Sequence, residues 1–142
     1  MGQPIQHIFI PVLAGILVNE AGEIFLARRK AHLKHGGKWE FPGGKLNPHE
    51  QPAECLAREL QEEFGVPARV YHPFEISSYS TAEFTIVLIA YWAQFVDTPR
   101  QSTDHDTFRW VAVQDLLTYD LTPADVYIAR KLQSVSIPTF SN

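Results

Sequence analysis

The sequence is poor in cysteine, in long apolar runs and in positive charge. Its only cysteine is Cys55, which excludes an internal disulfide bond and a cysteine-based zinc site. No segment approaches the roughly 18 consecutive apolar residues that a membrane-spanning helix needs. The N-terminus, Met1-Gly2-Gln3-Pro4, lacks the basic stretch and apolar core of a secretion signal. We therefore expect a cytoplasmic protein with no membrane partner.

The scarcity of positive charge bears on the class of ligand. Lys and Arg total 12 against 16 Asp and Glu, for a net charge of −4. A protein that follows a nucleic-acid backbone needs clustered Lys and Arg. We therefore expect no nucleic acid polymer as a partner. A small anionic ligand stays open, because a bound metal ion can neutralise it locally.

What the sequence does contain is enough apolar material for a core. Hydrophobic residues make up 45% and charged residues 20% of the 142 residues, which is the balance of a globular protein. The chain has no internal repeat, low-complexity tract or linker. Its length is that of one ordinary domain, so we interpret residues 1–142 as a single domain.

The first half of the chain alternates between strand and turn signals. Residues 8–18 and 24–27 are β-rich, and Asn19-Glu20-Ala21-Gly22 between them supplies turn chemistry, so the pair is predicted to form a hairpin. Residues 29–49 are interrupted by glycine and proline and predict a long irregular loop. Long loops of this kind in compact domains are often functional.

A helix is predicted over residues 50–64. Its apolar residues follow the spacing of one buried stripe: Ala53, Leu56, Ala57, Leu60 and Phe64. Pro52 suits the first turn and Gly65 suits the C-terminal stop. Residues 70–78, 84–95 and 108–113 predict further strands, of which 84–95 is so apolar that we expect it to be central. Thr122-Pro123 opens a last helix that ends near Leu132. Together these elements predict an α+β protein, a helix–sheet–helix sandwich.

The first predicted helix carries an acidic arc beside its buried stripe. Glu59, Glu62 and Glu63 are separated by the i, i+3 and i+4 intervals of surface neighbours. Like charges at that spacing destabilise a helix unless a positive charge lies between them. Arg58 supplies part of that charge, but a hard divalent cation does so better, and Mg²⁺ prefers oxygen ligands. A solvated acidic face is the alternative. The neighbouring glycine-rich loop favours a metal site.

The segment Gly44-x5-Glu50-x7-Arg58-Glu59-Leu60-x-Glu62-Glu63-x-Gly65-Val66 resembles a complete Nudix box, over residues 44–66, with no departure at any specified position. The preceding stretch, residues 38–46, is similar to the MutT-like branch of that family. The resemblance implies a Nudix fold, an α/β/α sandwich with a mixed β-sheet and a loop–helix–loop motif. It also implies an enzyme that hydrolyses a nucleoside diphosphate linked to another group, with Mg²⁺ as the cofactor and Mn²⁺ as a possible substitute.

The resemblance assigns metal ligands to four positions. Glu59 and Glu63 correspond to the central ligands, and Glu62 to a further ligand or a general base. The backbone carbonyl of Gly43 corresponds to a loop ligand. Asp104, six residues before Trp110, occupies a place where the family commonly has a catalytic glutamate.

The assignment of Asp104 has an alternative within the chain. Asp104 is one methylene shorter than the glutamate it replaces, so Asp106 is a rival for its role. Glu50 and Arg58 match a pair that braces the loop against the helix, and their predicted role is structural.

Three residues are candidates to bind the substrate. Arg29 and Lys45 could hold phosphates that do not react, and Asp125 corresponds to the position that presents Asn or Asp to the base. An ionised Asp only accepts hydrogen bonds, so an oxidised guanine would need a different partner or a protonated Asp125. The tail at residues 119–125 resembles a cytidine-type pyrophosphatase at least as well.

The sequence thus predicts hydrolysis of a nucleoside triphosphate to the monophosphate and pyrophosphate. Hydrolysis of ADP-ribose or of a dinucleoside polyphosphate is an alternative reaction. A non-catalytic Nudix module that binds a nucleotide is an alternative of another class, which the complete acidic set disfavours. The expected partner is a small nucleotide, and the chain is either a monomer or a homodimer.

Overall fold

The computed structural model describes residues 6–140. In chain order the elements are β1 (Ile8–Leu17), β2 (Ile24–Arg29), β3 (Trp39–Glu40), β4 (Gly43–Lys45), α1 (Pro52–Phe64), β5 (Ala68–Ser80), β6 (Phe84–Phe95), β7 (His105–Val111), a 3₁₀ helix (Val113–Thr118) and α2 (Pro123–Leu132).

The strands form two sheets. The larger has the order β4-β1-β6-β5, with β1 parallel to β6 and the other neighbours antiparallel. The smaller has the order β3-β2-β7 and is antiparallel. As expected from its apolar composition, β6 lies inside the larger sheet.

The hairpin predicted for the first two strands is wrong. The turn does form: the side-chain Oδ1 of Asn19 accepts bonds from the amides of Ala21 and Glu23. Beyond it, however, β1 joins the larger sheet and β2 joins the smaller one, and the only bridge near the turn is Val18–Ile24. Local turn chemistry therefore reversed the chain without deciding which strands pair.

The two helices cover separate apolar cores. Leu56, Leu60 and Phe64 of α1 pack with Leu13 and Phe25, and all five are buried. On the other side, Ile128, Ala129 and Leu132 of α2 pack with a second set of buried residues that includes Ile16, Leu26, Leu88 and Trp92. The predicted α+β sandwich with a mixed sheet is confirmed.

The glycine-rich region between β2 and α1 contains no helix, as predicted, but it is not wholly irregular. The short strands β3 and β4 anchor it to the two sheets, one strand to each. Within residues 6–140, no helix is long and apolar enough to cross a membrane.

Candidate active site

Helix α1 presents the three glutamates because its other side is buried. Pro52 occupies its first turn, and Gly65 ends it with a left-handed φ of 72°, a conformation that a residue without Cβ adopts freely. Leu56 and Leu60 are fully buried against the sheet. The residues between the buried positions therefore face outward, toward β4 and the loop that follows it and toward the segment between β6 and β7.

Arg58 ties the end of the glycine-rich loop, at Glu50, to α1. Its Nε and Nη2 donate to the two carboxylate oxygens of Glu50 over 2.7 and 3.0 Å. The Arg58 hydrogen bonds lower the pKa of Glu50 to about 2. A two-point ion pair of this kind fixes orientation as well as distance, so it holds the loop in one place on the helix.

Glu59 lies against the glycine pair of β4. A Cβ added to Gly44 would stand 2.5 Å from Glu59 Oε2, so only glycine leaves room for this carboxylate. A Cβ on Gly43 would meet the backbone carbonyl of Leu13 on β1. Burial raises the pKa of Glu59, which means that its charged form lacks the solvation that water would give it.

Glu62 is the most exposed of the three glutamates, with 62% of its side chain accessible. It accepts a 3.0 Å bond from Nη1 of Arg58, and the same nitrogen lies 3.2 Å from Glu59 Oε1. Arg58 therefore places a positive charge between Glu59 and Glu62, as expected.

Glu63 turns toward the segment that leads into β7. Its Oε1 accepts bonds from the Ser102 hydroxyl (2.5 Å) and the Asp104 amide (2.8 Å), and lies 2.9 Å from Nδ1 of His105. Its Oε2 accepts a 2.7 Å bond from the Thr103 hydroxyl. Although burial acts in the opposite direction, these donors hold the pKa of Glu63 well below its usual range.

The three glutamates do not meet at one point, contrary to the expected convergence. Among residues 6–140, no three acidic, histidine or cysteine side chains form a group arranged to hold a metal ion. The reason is electrostatic: Glu59 and Glu62 turn to Arg58, and Glu63 turns to the donors before β7. Each carboxylate thereby avoids its neighbours of like charge.

The structure separates the two rival aspartates. Asp106 forms a 2.8 Å ion pair with Arg28 on the adjoining strand. Asp104 instead lies beside Glu63. Although the residue is exposed, partial desolvation together with the Glu63 charge raises the pKa of Asp104. Of the two residues, Asp104 is therefore the one at the glutamate site.

The sequence did not point to two residues of this region, Glu40 and His105. Nε2 of His105 lies 2.8 Å from Oε2 of Glu40, and that oxygen also accepts a 3.1 Å bond from Nη1 of Arg29. Despite burial, the Glu40 and Glu63 carboxylates raise the pKa of His105 to about 9. A charged residue between the buried Trp39 and Phe41 was a usable signal for Glu40. His105 had none, because its partners lie far away in the sequence.

The cationic candidates differ in how firmly they are held. Arg29, at the end of β2, bonds to Glu40 and also donates from Nε to the Lys34 carbonyl over 2.7 Å. Lys45, at the end of β4, has an exposed side chain.

Asp125 is almost completely buried in the first turn of α2, with 3% of the residue accessible. Its Oδ2 accepts a 2.5 Å bond from the Thr122 hydroxyl, whereas its Oδ1 has no hydrogen-bond partner among the described residues. Burial, reinforced by the charge of Glu40, raises the pKa of Asp125 to about 8. The buried carboxyl therefore keeps its proton at neutral pH.

The donor set fits a hard divalent cation in kind. It offers only carboxylate and backbone oxygens, which Mg²⁺ prefers. Glu59 is a partly buried carboxylate with a raised pKa. The pKa of Asp104 is also raised, in part by the charge of Glu63. Additional positive charge at either place would relieve these penalties.

A two-sheet sandwich with this glutamate helix and glycine pair defines a class of phosphoanhydride hydrolases, and the family model for the NUDIX domain matches residues 9–132. The chain belongs to the Nudix hydrolase family.

Several relatives share most of its length. It is 34% identical to the CTP pyrophosphohydrolase of Escherichia coli (strain K12) over 117 residues, which are 82% of this chain and 86% of that protein. It is 31% identical to the 8-oxo-dGTP diphosphatase of the same organism over 124 residues, which are 87% of this chain and 96% of that protein. The crystal structure of a MutT protein from Methanosarcina mazei Go1 matches with a TM-score of 0.82 at 25% identity, covering 92% and 97% of the two chains.

Proposed function

We propose that this protein hydrolyses a nucleoside triphosphate to the monophosphate and pyrophosphate, with Mg²⁺ as the cofactor and Mn²⁺ as a substitute. The observation that carries the proposal is the position of the Glu59 carboxylate against Gly44, on the same helix as Glu63. The similarity to two enzymes named for nucleoside triphosphate cleavage, each over more than four fifths of this chain, supports the choice of substrate.

Glu59, Glu62, Glu63 and the Gly43 carbonyl are the proposed metal ligands. When bound, the ion would polarise phosphate oxygens and lower the pKa of a water molecule. Glu59 and Glu62 would then exchange part of their contact with Arg58 for the ion. Arg58 and Glu50 would keep the loop in register with the helix through their two-point pair.

Arg29 and Lys45 are proposed to hold phosphates that do not react. Phosphoryl transfer depends mainly on positioning and charge neutralisation. Arg29 suits this role because Glu40 and the Lys34 carbonyl fix its guanidinium while leaving 24% of the side chain accessible.

Asp104 is the proposed general base, with Glu62 as the alternative. Water attacks phosphorus, its proton passes to the carboxylate, and the phosphoanhydride bond to the pyrophosphate oxygen breaks. A base works best when its pKa approaches the working pH, and partial desolvation together with the Glu63 charge raises the pKa of Asp104.

Asp125 is proposed to contact the base of the nucleotide. Its pKa of about 8 supports a protonated carboxyl at neutral pH, which can both donate and accept a hydrogen bond. At this pH Asp125 is therefore not limited to accepting hydrogen bonds. Nucleotides of oxidised guanine and of cytosine both stay among the proposed substrates.

The test is a substrate panel at saturating Mg²⁺: CTP, dCTP, dGTP, 8-oxo-dGTP, ADP-ribose and a dinucleoside tetraphosphate. The products are identified by ³¹P NMR, and kcat/KM is compared. The proposal expects a triphosphate to rank first and to release pyrophosphate. It is wrong if every triphosphate is a poor substrate and ADP-ribose is a good one.

Size-exclusion chromatography with light scattering decides between monomer and homodimer, and limited proteolysis tests whether residues 1–142 form one domain.

A further inference from the structure

His105 joins two carboxylates that lie far apart in the sequence. Its Nδ1 is 2.9 Å from Oε1 of Glu63 on α1, and its Nε2 is 2.8 Å from Oε2 of Glu40 on β3. Only 3% of the His105 side chain is accessible. The ring also stacks on Phe64, with centroids 5.7 Å apart and planes 8° apart, so its orientation is fixed by packing.

The chain of contacts continues to Arg29. The Glu40 oxygen that faces His105 also accepts the 3.1 Å bond from Nη1 of Arg29. Arg29 and His105 are paired across β2 and β7, at a register shift between Arg28 and Arg29. An unbroken series of contacts therefore runs from Arg29 through Glu40 and His105 to Glu63.

The contacts at Glu63 are unevenly divided between its two oxygens. Oε1 takes the Ser102 hydroxyl, the Asp104 amide and the His105 ring. Among residues 6–140, Oε2 takes only the hydroxyl of Thr103, an exposed residue. His105 thus helps to fix the buried oxygen and leaves the other one with a single partner that can move away.

We propose that His105 and Glu40 are positioning residues, which hold the Glu63 carboxylate and the Arg29 guanidinium in one connected unit of hydrogen bonds and ion pairs. This inference rests on the proposed function, in which Glu63 binds the metal ion and Arg29 binds a phosphate. Neither His105 nor Glu40 lies in the Nudix box at residues 44–66. The unit sets the position of the metal ligand relative to the phosphate ligand, so that both contact one substrate correctly.

Stability alone gives little reason for this combination of residues. Buried ion pairs often contribute no more than well-packed apolar side chains of the same size. In contrast, residues that orient a metal ligand typically change metal affinity or activity by about 10–100-fold when they are replaced. Metal affinity therefore separates a positioning role from a purely structural one.

The experiment measures Mn²⁺ binding to the full-length, nucleotide-free protein by electron paramagnetic resonance at neutral pH. His105→Phe keeps an aromatic ring to stack on Phe64 but removes the two ring nitrogens that contact Glu40 and Glu63. Its Kd for Mn²⁺ should rise about 10–100-fold. Glu63→Gln is the reference for loss of the ligand itself. His72→Phe, which makes the same change at an exposed position of β5, is the matched control and should bind as the wild type does.

Glu40→Gln is the second variant, because it keeps the size of the side chain if His105→Phe fails to fold. It should raise the Kd for Mn²⁺ about tenfold and also raise the KM for the triphosphate, since Arg29 loses its charged partner. His105→Phe should lower kcat more than it changes KM. Such a split between the two variants is not expected of residues that only stabilise the fold.

The results distinguish two failures. If the wild type cleaves triphosphates and Glu63→Gln weakens Mn²⁺ binding, but Glu40→Gln and any folded His105→Phe bind as the wild type does, the positioning role is overturned and the proposed function stands. If the wild type cleaves no triphosphate, the proposed function itself is wrong.

Discussion

The Glu59 carboxylate lies so close to Gly44 that a Cβ on Gly44 would stand 2.5 Å from Glu59 Oε2. The contact joins the glycine-rich loop to the acidic helix at the point where a metal ligand is proposed. It also explains why the family motif has glycine here: the space is taken by a side chain from elsewhere in the motif.

Gly44→Ala should therefore displace Glu59 and impair catalysis while leaving the fold almost unchanged, because the obstacle is the far end of a flexible side chain. Gly43→Ala should instead lower the free energy of unfolding by about 1–3 kcal/mol, since its Cβ meets the backbone of Leu13. Activity assays and urea denaturation of both variants test the contrast. Equal stability losses would contradict it.

Glu63→Gln should reduce Mg²⁺-dependent pyrophosphate release by about 10²–10⁴-fold, the range for loss of a group that acts on the reacting atoms. The amide keeps the size of the side chain, so circular dichroism should be unchanged. Glu54→Gln, an exposed position in the first turn of the same helix, is the control and should retain activity. Near-normal turnover in Glu63→Gln would remove Glu63 from the mechanism.

Mg²⁺ should raise the melting temperature of the wild type, and EDTA should reverse the effect. An ion that binds the folded state at 100 times its Kd adds about 2.7 kcal/mol to the free energy of unfolding. In Glu59→Gln the increase should shrink or disappear, because the proposed ligand has lost its charge. Differential scanning fluorimetry with and without Mg²⁺ measures it, and an undiminished increase in that variant would argue against Glu59 as a ligand.

Arg29→Met should raise the KM for a triphosphate by about 10–100-fold, in line with about 1.5–3 kcal/mol for a hydrogen bond to a charged group. Methionine keeps much of the apolar stem. Arg69→Met on β5, where the side chain is exposed, makes the same change away from the site. If both variants have the same KM, Arg29 does not bind phosphate.

Asp125→Asn should become progressively more stable than the wild type as pH rises. The carboxyl has a pKa of about 8 when folded and about 3.8 when unfolded. Between these values the folded state binds the extra proton, so the contribution of Asp125 to wild-type stability falls with pH across that interval. Asparagine does not titrate. Urea midpoints should diverge from about pH 4 to 8 and then run parallel, whereas a constant gap would rule out the raised pKa.

The sequence was most informative where the contacts are local. The apolar stripe and end signals of α1 lie within fifteen residues, and the helix forms almost as predicted. The placement of β1 and β2 in different sheets depends on cores that their own residues do not specify. Asp104 and Asp106 could not be ranked, because the pairing of β2 with β7 sends Asp106 toward Arg28. The pairing of Glu40 with His105, 65 positions away, was likewise out of reach.

The pairing of β2 with the late strand β7 determines when activity can arise during synthesis. The proposed metal ligands sit on β4 and α1, whereas Glu40, Asp104 and His105 come from β3 and the start of β7. The bond from the Asp104 amide to Glu63 spans 41 positions. A nascent chain whose Nudix box has just left the ribosome therefore has the acidic helix and Glu40, but neither the proposed base Asp104 nor His105. On the proposed mechanism, it can cleave no nucleotide until β7 has been translated and has paired with β2.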